Sequence, residues 1–155
     1  MLTMSFKSFK KTKHLLLYGI MISFGLWAMP GAAQVNDTQL NAFVEALRRA
    51  APPNKPNDGM YSDWQVLPGI IPSWTKQCVG KEMTPAQFDA DSAAARRTVT
   101  CIARREVNNQ LKATRNNQTA AVRRAACWWM TGNATGCQNG ATASYVQRVL
   151  SFYQQ

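Results

Sequence analysis

Two carboxylates in this chain are placed where they could act as proton donors. Glu106 falls in line with Phe88, Ala95, Val99 and Ile102 along a long helical pattern. Burial on such an apolar stripe raises a carboxyl pKa, and an acid held neutral near pH 7 is what general acid catalysis requires. The plainer alternative is a structural or solvated glutamate, since the stripe drifts over so long a helix and Arg104 and Arg105 adjoin it. Glu45 is the sole acid after the cap of the first helix. On regular spacing it points about 150° from the stripe of Leu40, Phe43, Val44 and Leu47, toward solvent. There Arg49, at i+4, can pair with it. Glu45 can serve as an acid only if that helix ends near it.

Cys78, Cys101, Cys127 and Cys137 form an even set. In an exported chain this implies two disulfides and an oxidising compartment. Three connectivities are possible. The expected one joins Cys78 to Cys101 and Cys127 to Cys137, each bond tying a loop to a neighbouring helix. The spacings match no compact zinc pattern, and His14 is the one histidine, so neither a metal nor another cofactor is expected.

The elements that must position these groups are mainly helical. Asp37 can cap a first helix from Thr38 to about Ala50, stopped by Pro52-Pro53. Pro52 to Lys76 contains five prolines and an Asn57-Asp58-Gly59 turn signal, and reads as irregular. It also holds Trp64, Ile70, Ile71 and Trp74, so an ordered loop or short hairpin is expected rather than a linker. Thr84-Pro85-Ala86-Gln87 is a capping box opening a helix to about Ala113, and Asn116-Asn117 breaks it. A third helix runs from about Thr119 to Met130, with Val122, Ala125, Ala126 and Trp129 inward and Trp128 off that face. Ser144-x-x-Gln147 opens the last, with Val146, Val149, Leu150 and Tyr153 inward. The expected fold is all-α: four helices around one core, stapled by disulfides, with one long ordered loop.

Several segments, in order, resemble lysozyme-like lytic transglycosylases of the phage-virion type. They are Trp64-Gln65-Val66-Leu67-Pro68, Ile71-Pro72-Ser73-Trp74, Gly80-Lys81 and Thr84-Pro85-Ala86-Gln87-Phe88. The helix ending Ala125-Ala126-Cys127-Trp128-Trp129-Met130-Thr131-Gly132, and Ser144-Tyr145-Val146-Gln147-Arg148-Val149-Leu150 with Tyr153, resemble two further elements of that family. The resemblance implies a lysozyme-like fold and a cleft for peptidoglycan-type glycan. It implies that Trp64 and Gln65 line the cleft, where indole faces stack on sugar rings and amides bond their hydroxyl and acetamido groups. Trp128 is a further candidate for stacking. Trp64 and Trp74 can equally anchor the loop to the core. The family carries its catalytic glutamate at the end of the first helix, where this chain has Arg49-Ala50-Ala51-Pro52-Pro53. The expectation is therefore glycan binding without turnover. An active lytic transglycosylase or muramidase using Glu45 is one alternative, and a disulfide-tied envelope interaction protein that binds no glycan is another.

Residues 1–33 read as a secretory signal peptide. Lys7, Lys10, Lys11 and Lys13 precede an apolar run from Leu15 to Trp27, and Gly31-Ala32-Ala33 suits a cut before Gln34. The run is shorter than a membrane span needs. The mature chain is then a single domain, 34–155, secreted or periplasmic. Losing four lysines takes 18 Lys+Arg to 14 against 8 Asp+Glu, a net charge of +6. Such a charge suits a polyanionic surface. The expected partner is peptidoglycan or a similar glycan, with no nucleic acid, no retained membrane span and a monomeric state.

Overall fold

The computed structural model describes residues 34–56 and 58–155. The expected leader and its cut site lie outside them. The domain is mainly helical, and the described residues contain no strand beyond one antiparallel bridge, Tyr61 to Val66. Among the described residues six α-helices follow in order: α1 Asp37–Ala50, α2 Ile71–Val79, α3 Pro85–Ala90, α4 Ser92–Ala113, α5 Gln118–Thr131 and α6 Gly140–Tyr153. A short 3-10 turn, Pro68–Ile70, leads into α2. The four long helices pack on one another, α1 against α6 and α4, and α5 against α4 and α6. Their shared core includes Leu40, Phe43, Leu47, Val99, Val122 and Val149.

Several boundaries differ from the sequence expectation, each for a local reason. Asn36, not Asp37, caps α1: its side chain accepts from the Gln39 backbone N–H, while the Gln39 side chain reaches back to Asn36. Asp37 is the first helical residue and pairs with Arg104 of α4. The stretch expected to be irregular up to Lys76 contains α2, with Pro72 in its first turn, where a missing N–H costs nothing. The capping box at Thr84 is present, but its helix stops at Ala90. Asp91 ends α3 and caps α4, accepting from the Ala94 N–H at 2.8 Å, so one aspartate divides what the pattern reads as one helix. The break at Asn116-Asn117 stands, with Arg115 and Asn116 in the left-handed region and Asn117 capping α5. The last helix starts at Gly140 rather than Ser144. Ser144 is already helical and its hydroxyl donates back to the Gly140 carbonyl, four residues earlier.

Two disulfides staple the domain, Cys78–Cys101 between α2 and α4 and Cys127–Cys137 between α5 and the following loop. The loop before α2 is packed on the domain: Trp64 and Val66 are buried.

Candidate functional site

The Tyr61–Val66 bridge closes a tight turn over Ser62 to Gln65. Two non-glycine residues in it take positive φ, Ser62 at 64° and Gln65 at 53°. A left-handed conformation costs a residue with a Cβ about 1 kcal/mol or more, and persists where surrounding contacts impose it. Here the imposing contact is Trp64. Its indole is buried and donates Nε1–H to the Val44 carbonyl of α1 at 2.9 Å. Asp89 secures the other side, accepting from the Ser62 N–H at 2.7 Å and from the Asn54 amide at 3.1 Å.

This turn separates two cavities, and Trp64 walls both. The first is an apolar cleft of about 470 Å³. The turn and the residues after it, Trp64 to Leu67, form one side. Trp74 of α2 and Trp129 of α5 form the back, their ring centroids 5.6 Å apart. Tyr145 and Arg148 of α6 also line it, and Ala51, just past the end of α1, completes the lining. Its polar side chains are few: Gln65, Ser144 and Arg148, with the Tyr145 phenol. Burial pushes the Tyr145 pKa up, so the phenol stays protonated and can donate a hydrogen bond. Gln65 is half-exposed, its amide near Asn54 Oδ1 at 3.3 Å. Leu67 and Met130 stand at the mouth, 56% and 47% exposed. A concave apolar volume with a few placed polar groups is the usual build of a small-ligand site.

The second cavity, about 420 Å³, is polar and lies on the other side of the turn. Glu45, Arg48, Asp63, Asp89 and Arg96 line it. Glu45 pairs with Arg48 at i+3, 2.6 Å away, rather than with Arg49 at i+4. Arg49 instead lies over the Phe152 ring. The Arg48 hydrogen bond holds the Glu45 carboxyl below its ordinary pKa, against a smaller opposing effect of burial. A general acid at neutral pH needs the opposite shift.

None of the residues lining the apolar cleft is a carboxylate. The two acid candidates are not brought together. Glu45 opens on the polar cavity, and Glu106 is buried in α4, lining neither. Glu106 is a packing element: Gln110 Nε2 donates to its Oε1 at 2.7 Å, and Gln110 Oε1 accepts from Arg124 at 2.6 Å. Trp64 and Gln65 do line the cleft. Trp128 does not: it is half-buried and stacks on Trp74, centroids 6.3 Å apart and planes 16° from parallel.

No family model, curated protein or solved structure matches this chain.

The cleft residues that sequence reasoning did not single out are Trp129, Tyr145 and Arg148. For Tyr145 and Arg148 the signal was present in the terminal helix, where they are spaced i and i+3 and so share a face. Among the described residues no cluster of His, Cys, Asp or Glu could hold a metal, and no helix is long and apolar enough to cross a membrane.

Proposed function

We propose that this is a non-catalytic glycan-binding protein of the cell envelope, with a lysozyme-like fold, that holds peptidoglycan-type strands in the apolar cleft. One observation carries the proposal. Ala51, where the family resemblance calls for the proton donor, abuts the cleft, while no carboxylate lines it. The position is thus suited to act on a bound strand, but the residue is not. Trp129, Tyr145 and Trp74 offer ring surface for sugar faces, and Gln65, Ser144 and Arg148 offer hydrogen bonds. Two disulfides fit an oxidising compartment outside the cytoplasm, in keeping with a leader over residues 1–33.

Co-sedimentation with purified peptidoglycan tests this, run beside turbidity of a cell-wall suspension. The expected result is sedimentation with the wall and no clearing. Clearing at a rate above background would restore the enzyme alternative, and Glu45→Gln would then show whether Glu45 is its acid. Absence of both would favour the interaction protein. Leu67 and Met130 speak for that second reading, as large apolar side chains exposed together at the cleft mouth.

A further inference from the structure

We infer that Arg148 makes the cleft selective for an amino-sugar strand bearing a carboxylate over a neutral one. The inference rests on the glycan proposal and adds the ligand's charge to it. Arg148 is the one charged side chain among the cleft's lining residues. Among the described residues it forms no ion pair; the four ion pairs there engage Arg48 twice, Lys76 and Arg104. It is held in place without being neutralised. Its guanidinium donates to the Ala50 carbonyl at 3.4 Å, at the end of α1, and lies 5.8 Å from the Tyr145 ring centroid. Carbonyl and ring bias its direction and leave other N–H donors of the fork free of protein partners. Arg148 itself is exposed at the edge of this mostly apolar wall, so solvent screens its charge and the contact it offers is a modest one.

A guanidinium in that setting takes a carboxylate, through one or two charge-assisted hydrogen bonds. On an amino-sugar strand the carboxylate has two possible sources. One is a lactyl ether on the sugar ring itself, free where no peptide is attached. The other is the stem peptide. A chain of N-acetylglucosamine has neither.

Four ligands separate the cases in calorimetry at low salt: soluble strands stripped of peptide, the same strands with peptide, stripped strands whose carboxylates are converted to neutral amides, and N-acetylglucosamine hexamer. Wild type is expected to bind a carboxylate-bearing strand about two- to fivefold more tightly than the hexamer, as one exposed charge-assisted contact implies. The amidated strand should fall to the hexamer's level, and added salt should narrow the gap. Strongest binding of the stripped strand assigns the lactyl carboxylate; strongest binding of the peptide-bearing strand assigns the stem. Arg148→Gln should bring charged and neutral ligands together, and Arg148→Lys should keep part of the preference. Equal wild-type affinity for hexamer and charged strands, or a preference that survives amidation or Arg148→Gln, overturns the inference and leaves the glycan proposal standing. Wild type binding none of the four overturns both.

Discussion

The indole N–H of Trp64 donates to the Val44 carbonyl at 2.9 Å, so the ring that walls both cavities is fastened to the middle of α1. The sequence left this tryptophan equally suited to the ligand and to the core. At 5% exposure it is a core residue with one edge on each cavity. Trp64→Phe, which keeps much of the ring but removes the donor, should cost about 1–2 kcal/mol. Trp64→Ala should cost about 3–5 kcal/mol and lower affinity mainly by loosening the turn. Denaturant titration with binding per folded molecule checks this; an alanine variant of full stability would make the ring a ligand contact alone.

Gln65 is the cleaner probe of the cleft wall. Its φ of 53° suits glycine, and its amide contacts at 3.3 and 3.4 Å are long. In Gln65→Gly the relief of left-handed strain offsets the added chain entropy, so stability should stay within about 1 kcal/mol of wild type. Glycan affinity should fall. Thermal melts and calorimetry report the two effects separately.

Glu45 titrates below its ordinary value of 4.5 because Arg48 donates to it. A depressed folded-state pKa adds stability above the unfolded-state value and loses it as pH falls through the folded one. Glu45→Gln should therefore be slightly destabilising at pH 7; the difference from wild type should start to shrink as pH falls past 4.5 and be gone only below the depressed folded-state value. The pair is substantially exposed, so a few tenths of a kcal/mol is the scale, and salt should shrink it. A difference that grew on acidification would contradict the pairing.

Glu106 should matter to folding and not to ligand. Glu106→Gln keeps an acceptor for the Gln110 amide and should be mild. Glu106→Ala strands that amide and opens a hole in α4, which should cost about 2–4 kcal/mol. Peptidoglycan binding by the folded fraction should be unchanged in both.

Reduction of the disulfides should lower thermal stability, by about 2–4 kcal/mol for each bond. Native protein should offer no alkylatable thiol, since all four cysteines are paired. Four reactive thiols without denaturant would contradict the pairing.

What the sequence made legible was local. The stripe of Leu40 to Leu47, the Thr84 box and the break at Asn116-Asn117 each depend on residues a few positions apart, and each is in the fold. The pairing of neighbouring cysteines is there too. What it hid was competition between equally local signals. Asp91 caps a new helix inside a pattern that runs on past it, and α6 begins at Gly140, four residues before a convincing box. The cleft was only half visible. Gln65 and Trp64 carry a motif, but Ala51, Trp129 and Arg148 converge on them from three other elements, and no spacing records that. Trp128 and Trp129 differ by one helical step, about 100°, which decides which one reaches the cleft and which lies against Trp74.

The first and last helices lie against each other. Phe43 meets Tyr153 edge to face, Arg49 covers Phe152, and Arg148 reaches the Ala50 carbonyl. Both disulfides, by contrast, close short circuits of 23 and 10 residues. A chain made amino end first can therefore bury part of α1 early, against Trp64 and α4, while the seam with α6 waits for later residues. The cysteines can pair within their own neighbourhoods meanwhile, and neither bond retains α1. Until α6 forms, the side of α1 that meets Tyr153 and Phe152 through Phe43 and Arg49 stays uncovered. Clipping the chain at Leu150 would remove Phe152 and Tyr153 and weaken that seam, while Trp64, α4 and the rest of α6 still hold α1.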